Sequence, residues 1–254
     1  MRTLGLLMLT AMTTQAAVKS KVIEYDAGGT KSKGVLFWDD SVKGKLPGVI
    51  VFHEWWGLND YAKKRAEMLA KEGYVAFCAD MYGDGKTTDH PDDAGKFAGE
   101  VRKNADVWLK RAQAALAEIK KQPQVDDGKI SAIGYCFGGT TAMQLFFNGA
   151  DLKSVIVFHA GLPTITDEQA KKATGKLLIC HGAADTFIPE TVVKPFKEKL
   201  DKAGTKYEFV AYPGATHSFT VEGVEKKMPV LKYDADADKK SWESMLKLLK
   251  ETSK

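Results

Sequence analysis

Short, continuous apolar runs alternate with longer amphipathic stretches along most of this chain. Gly48 to Phe52, Lys129 to Ile133, Ser154 to Phe158, Lys176 to His181 and Tyr207 to Tyr212 have strand length and are rich in Val, Ile and Phe. Apolar residues at every position, not every second one, predict strands buried on both faces, as in a parallel sheet. Between them, Asp60 to Lys71 reads as a helix. Within Asp93 to Lys121, Phe97, Val101, Trp108, Ala112, Leu116 and Ile119 fall near helical spacing on one face. A last helix, Asp238 to Glu251, sets Trp242, Met245, Leu246 and Leu249 on one side. At the start, Val22 to Tyr25 and Gly34 to Trp38 predict a hairpin across a Gly28-Gly29 turn. The expected architecture is α/β, a mostly parallel central sheet with helices on both faces and no separate cap domain. Thr220 to Tyr233 is the least patterned stretch and is expected to shape one wall of a cleft.

One junction carries chemistry. Gly134-Tyr135-Cys136-Phe137-Gly138-Gly139 follows the run ending at Ile133 and opens a helix of small and apolar residues, Thr140 to Phe147. Strand, sharp turn and helix in that order are the setting of a nucleophile elbow, G-x-[SC]-x-G, here with cysteine in place of serine. The glycines let strand and helix backbones approach closely. The turn lifts the Cys136 sulfur to a helix N-terminus, whose dipole favours a thiolate. On this pattern alone, a buried structural cysteine at a glycine-rich junction is an equal alternative.

Acyl transfer also needs a base beside the nucleophile and an acid to orient the base. In the α/β-hydrolase fold these follow in the order nucleophile, acid, histidine. Asp185 lies just past the strand Lys176 to His181, and His217 lies in the loop after Tyr207 to Tyr212. Singly, Asp185 is a turn carboxylate and His217 a solvated loop histidine. In order, both at the C-terminal ends of strands, they read with Cys136 as a triad. Of the other histidines, His181 is expected to be packed, and His90 lies in a polar loop. His159 can look into the cleft but has no assigned role, and His53 precedes Glu54-Trp55-Trp56-Gly57. Two amides must hold the oxyanion: that of Phe137, after the nucleophile, and one from an earlier loop, that of Trp55. Trp55 and Trp56 wall an apolar pocket. Glu54 either takes the thiol's proton or holds it neutral, or it is an exposed loop acid.

The chain resembles the dienelactone hydrolase family, cysteine-dependent α/β-hydrolases that open unsaturated lactones. The matching pieces are HEWWG at His53 to Gly57, EGYVAFCADMYG at Glu72 to Gly83 and GKISAIGYCFGG at Gly128 to Gly139. HGAADTFIP at His181 to Pro189 and GATHSF at Gly214 to Phe219 complete the set. The resemblance implies Cys136 as nucleophile, Asp185 and His217 as its partners, and Glu54 beside the thiol. It also implies Trp55 and Phe137 as oxyanion-hole donors. Family members hold the substrate carboxylate with two arginines. One follows Asp-Leu-Tyr, where this chain has Asp80-Met81-Tyr82 and then Gly83-Asp84. The other follows the histidine's Ser-Phe, where this chain has Ser218-Phe219-Thr220. Tyr82, Asp84, Phe219 and Thr220 would then join Trp56 in a substrate pocket without the bidentate cation.

Composition changes little. The 254 residues suit one domain, and the net charge of +4 comes from lysines interspersed with acids, with no basic stripe. Nucleic-acid binding is not expected, nor is a membrane span. Residues 1–17 read as a secretory signal peptide: Arg2, an apolar run from Leu4 to Met12, and small residues at Thr14-Gln15-Ala16-Ala17. The mature domain would be residues 18–254, secreted or periplasmic. Cys78 and Cys180 sit inside apolar strands and leave Cys136 as the reactive thiol. Gly85-Lys86-Thr87 lacks the leading glycine of a phosphate loop, where Asp80 stands. Asp234, Asp236 and Asp238 read as a helix-start cluster, since Lys239 and Met245 stand where a calcium loop needs Gly and Glu. No grouping has zinc spacing. The expectation is a monomeric, cofactor-free, metal-free hydrolase of a small carboxylic ester or lactone. The alternatives are a catalytically silent ligand-binding protein on the same scaffold, or a thiol-redox role for Cys136.

Overall fold

A computed structural model describes residues 18–254; the expected signal peptide lies outside the described residues. The strands are β1 (Val18–Asp26), β2 (Lys31–Asp39), β3 (Leu46–Phe52), β4 (Val75–Ala79), β5 (Val125–Tyr135), β6 (Ser154–Phe158), β7 (Lys176–Gly182) and β8 (Tyr207–Tyr212). They form one sheet in the order β1-β2-β4-β3-β5-β6-β7-β8. From β4 to β8 every pairing is parallel, while β1 and β2 join as an antiparallel edge. The helices are α1 (Asp60–Lys71), α2 (Pro91–Arg102), α3 (Ala105–Lys120), α4 (Phe137–Phe147), α5 (Asp167–Lys172), α6 (Glu190–Ala203) and α7 (Ala235–Thr252). This is the expected α/β-hydrolase architecture.

The pleat sorts the core into two layers. In β3, Val49 and Val51 face the layer built with α1 and α7. Ile50 and Phe52 face the larger layer, which holds Trp108 and Ile119 of α3, Phe146 of α4 and Leu200 of α6. Strand order reverses at β3, which has β4 on one side and β5 on the other. Such a switch leaves a crevice outside the carboxyl ends of the strands. Here it lies between Phe52 and Tyr135, so the residues that follow each, His53-Glu54-Trp55 and Cys136, are neighbours.

Three features differ from the pattern reading. The hairpin strands run longer than expected, from Val18 and to Asp39. The stretch Asp93 to Lys121 is two helices: the chain breaks at Lys103 and Asn104, and the Asn104 side chain caps α3 by accepting from the Asp106 and Val107 amides. Helices α5 and α6 had no predicted counterpart; α5 is only six residues long and is closed by a capping box from Thr166 and Gln169.

Helix α4 begins hard against β3. A Cβ on Gly138 would lie 2.2 Å from the Phe52 carbonyl oxygen and 2.5 Å from that of His53. Both are backbone atoms of a buried strand end and cannot swing aside. Gly138→Ala is therefore expected to lower stability by about 2–3 kcal/mol or more. The measurement is the urea midpoint at unchanged m-value; an unshifted midpoint would mean that α4 can slide away from β3.

Candidate active site

Cys136 sits between β5 and α4 with φ 51° and ψ −114°. A non-glycine residue at positive φ is strained, and surrounding bonds hold it there. Its N–H donates to the Phe158 carbonyl at 3.0 Å, and its carbonyl accepts from Gly139 and Thr140. Gly134 must lack a side chain, because a Cβ would lie 2.1 Å from the Gly138 oxygen. The sulfur emerges half-buried at the first turn of α4.

The loops after β7 and β8 are tied together. Ala183 N–H donates to the Tyr212 carbonyl and Ala184 N–H to the Ala215 carbonyl, each at 2.9 Å. That clamp brings Asp185 to His217. The imidazole Nδ1 lies 2.8 Å from Asp185 Oδ2, and its Nε2 lies 3.1 Å from Cys136 Sγ. Asp185 Oδ1 accepts from the Phe187 and Ile188 amides at 2.9 and 3.2 Å. Burial alone would raise this carboxyl, but His217 and the two amides outweigh it and hold Asp185 below the usual range. Burial likewise opposes charge on His217, yet Cys136 and Asp185 together push it up to about 10.

Glu54 is buried, with only 2 % of its surface exposed; it is not a loop acid in solvent. Its Oε1 accepts from Ser218 Oγ at 3.2 Å and lies 3.8 Å from His159 Nδ1, while Oε2 has no partner. Burial, only partly offset by the His217 charge and the Ser218 hydroxyl, raises it to about 7. It faces Ser218 and His159, and no hydrogen bond joins it to the thiol. His53 pins the same turn: Nε2 accepts from Met81 N–H at 3.2 Å, so Nδ1 carries the proton and donates to the Glu54 carbonyl at 2.5 Å. Among the described residues, neither the Phe137 nor the Trp55 amide donates to another backbone group. Tyr82 Oη donates to the Trp55 carbonyl at 3.0 Å and so fixes that peptide. The Tyr82 ring packs on His53, Phe97 and Phe137.

The remaining residues expected in the pocket make their contacts as follows. Phe219 is wholly enclosed, against His159 and Tyr212. Thr220 is buried with its hydroxyl held by Tyr61 at 2.5 Å and His159 at 2.8 Å, and its carbonyl by Arg65 at 2.8 Å. Both are packed against or bonded to His159, and Thr220 is also held by Arg65, a residue unnoticed in the sequence. Asp84 is exposed at φ 53°, its N–H donating to the Lys31 carbonyl, so it is tied to the start of β2. Trp56 is buried and lines a separate cavity of about 820 Å³. Thr220, Tyr61, Arg65 and Lys227 also line it; Cys136 does not. The strand-end histidines His53 and His159 were visible in the sequence, but only the fold reveals that they hold Glu54 and Thr220.

Among the described residues no group of three or more His, Cys, Asp or Glu side chains is arranged for a metal, and no helix is long and apolar enough to cross a membrane. Cys78 and Cys180 are fully buried, and burial pushes both thiols up.

Comparison with known proteins gives a consistent picture. The model of the dienelactone hydrolase family matches residues 33–253. The "Putative carboxymethylenebutenolidase" of Aquifex aeolicus is 30 % identical over 91 % of this chain and 97 % of its own. The solved structure of m3DLH is 37 % identical, with a TM-score of 0.90 over 94 % of this chain and all of the other. The dienelactone hydrolase-like promiscuous phosphotriesterase P91, from metagenomic libraries, is 35 % identical, with a TM-score of 0.89 over 93 % of this chain and 99 % of the other.

Glu54 makes stability depend on pH. Its folded value, about 7, lies above the ordinary 4.5, so the folded chain holds this proton more tightly than the unfolded one. The associated stability is full below about 4.5 and is lost as pH rises through about 7. Glu54→Gln is expected to gain on the wild type by on the order of 2–3 kcal/mol between pH 5 and pH 8. Urea unfolding at both pH values reads this, and identical pH dependence in the two proteins would mean that Glu54 ionises freely in the folded state.

Proposed function

The chain belongs to the dienelactone hydrolase family and is a carboxylic ester hydrolase; from that premise we propose that it works through Cys136, His217 and Asp185 as a catalytic triad. The observation that carries this reading is the continuous line from Asp185 Oδ2 through the imidazole to Cys136 Sγ, at 2.8 and 3.1 Å. The sulfur attacks the ester carbonyl with its proton on His217 Nε2. The carbonyl π pair moves onto oxygen, where the free amides of Phe137 and Trp55 receive the charge. Collapse of this intermediate breaks the ester C–O bond, and His217 hands its proton to the departing oxygen, leaving a thioester on Cys136. Water then attacks the thioester, His217 takes its proton, and Sγ leaves with the acid released. Asp185, fixed by the Phe187 and Ile188 amides, orients the ring and stabilises its charge throughout.

The substrate we propose is an uncharged ester or lactone with an acidic leaving group. Where relatives place arginines, this chain has an exposed Asp84 and a buried Thr220, so neither position offers a cation to a substrate carboxylate. P91 is named a phosphotriesterase, and a phosphotriester is likewise uncharged, so both ester types belong in one assay.

Cys136→Ala is expected to lower hydrolysis of a short-chain activated ester by on the order of 10⁴-fold, to near background. Asp185→Asn is expected to lower it by roughly 10²–10⁴-fold with the fold intact. Steady-state rates on neutral and anionic esters provide both comparisons. Wild-type rates in Cys136→Ala would remove the sulfur from the mechanism.

A further inference from the structure

Behind His217 runs a chain of polar side chains that the mechanism above does not use. Arg65 Nε donates to Tyr61 Oη at 3.3 Å, Tyr61 Oη and Thr220 Oγ1 lie 2.5 Å apart, and Thr220 Oγ1 lies 2.8 Å from His159 Nε2. The other His159 nitrogen, Nδ1, lies 3.8 Å from Glu54 Oε1 and has no hydrogen-bond partner. His159 is completely buried. Its ring meets His217 edge-on, with centroids 5.3 Å apart.

The direction of each bond follows from one residue. A guanidinium can only donate, so Tyr61 Oη accepts from Arg65. Among the described residues the one acceptor left for the Tyr61 hydrogen is Thr220 Oγ1. Among the described residues, His159 Nε2 is then the one acceptor for Thr220's own hydrogen, which would go unpaired if Nε2 donated instead. A neutral ring that accepts at Nε2 carries its hydrogen on Nδ1, the atom that faces Glu54. Arg65 is itself held by Asp238 at 2.6 Å and by the Thr220 carbonyl at 2.8 Å, at the edge of the 820 Å³ cavity.

We infer that His159 is a positioning residue for Glu54: Arg65, acting through Tyr61 and Thr220, holds its proton on Nδ1, where it favours the ionised form of the buried carboxyl. The charged and titratable groups around Glu54 are His159, His217, Lys227, Arg65, Tyr61 and Tyr82, and around His159 they are His217, Arg65, His181, Tyr135 and Glu54. Burial and the His217 charge both keep His159 neutral, so it acts as a fixed dipole, not as a second base.

The test is ¹⁵N NMR of the histidine-labelled protein, with His159 assigned through His159→Asn. The expected result is a neutral ring protonated at Nδ1 that does not titrate from pH 5.5 to 8.5. In Tyr61→Phe, which cannot pass the hydrogen on, the ring is expected to gain the Nε2-protonated form. An Nε2-protonated ring in the wild type, or an unchanged tautomer in Tyr61→Phe, would overturn the inference whatever the enzyme's activity. The second readout is the pH dependence of urea unfolding, in which Glu54 supplies a limb near pH 7. Loss of the N–H in His159→Leu is expected to move that limb, which Glu54→Gln abolishes, upward by about one pH unit. His159→Asn, which keeps an N–H near the Nδ1 position and tolerates the residue's φ of 40°, is expected to restore it. An unmoved limb in folded His159→Leu would sever His159 from Glu54, while loss of turnover in Cys136→Ala tests the triad separately.

Discussion

The site depends on how closely α4 is driven against the end of β3. Gly138 lets the helix backbone settle on the Phe52 and His53 carbonyls, and Gly134 lets it fold back over β5. A side chain at either place would push the helix outward and take Cys136 with it. The left-handed backbone at Cys136 costs on the order of 1–3 kcal/mol, and the packed interior on either side supplies the constraint that maintains it. Because strand order reverses between β3 and β5, the same approach sets Glu54 and Trp55 beside the elbow. One packing contact thus positions both the sulfur and the turn that faces it.

The rim carries two buried carboxylates that behave oppositely, and hydrogen bonding decides which way each goes. Asp185 has both oxygens occupied, one by His217 and the other by two loop amides, and is held below its ordinary value. Glu54 is as deeply buried but has one hydroxyl donor and an oxygen with no partner, and it is raised to about 7. Donors to the charged form offset desolvation in the first case and are too few in the second. Asp185 is therefore a permanent anion suited to orienting an imidazolium. Glu54 changes charge near neutrality.

Those features that depend on neighbouring residues in the chain were legible in the sequence. The continuous apolar runs became the parallel strands, and the G-x-C-x-G spacing became the turn between β5 and α4. Asp185 and His217 could be placed on one rim because position at a strand's C-terminal end needs no tertiary knowledge in this fold. The break at Lys103 and Asn104 was hidden because Val101, Trp108 and Ala112 keep an approximately helical spacing across it, and an asparagine reads alike in a helix and at its cap. The partners of Phe219 and Thr220 were not legible for a longer-range reason. These two residues directly follow His217 and Ser218, but Arg65, more than 150 residues away in sequence, binds the Thr220 carbonyl. No local pattern encodes such a pairing.

The 820 Å³ cavity does not reach the sulfur: Cys136 is not among the residues that line it. Thr220 and Trp56 line the cavity and are themselves buried, while Lys227 reaches across to Asp89 and over the Trp56 ring. The His217–Cys136 pair is instead flanked by Phe187, whose ring meets His217 edge-on at 5.3 Å and is 51 % exposed. An exposed aromatic beside this pair offers apolar contact without adding charge. The cavity's ionic side chains include Lys63, Arg65, Asp89, Glu222 and Asp238, and two of its ion pairs, Arg65–Asp238 and Lys227–Asp89, link separate loops and helices. Ionic side chains are thereby gathered behind Thr220, an exposed aromatic stands beside His217, and the ion pairs brace the polar residues behind the imidazole.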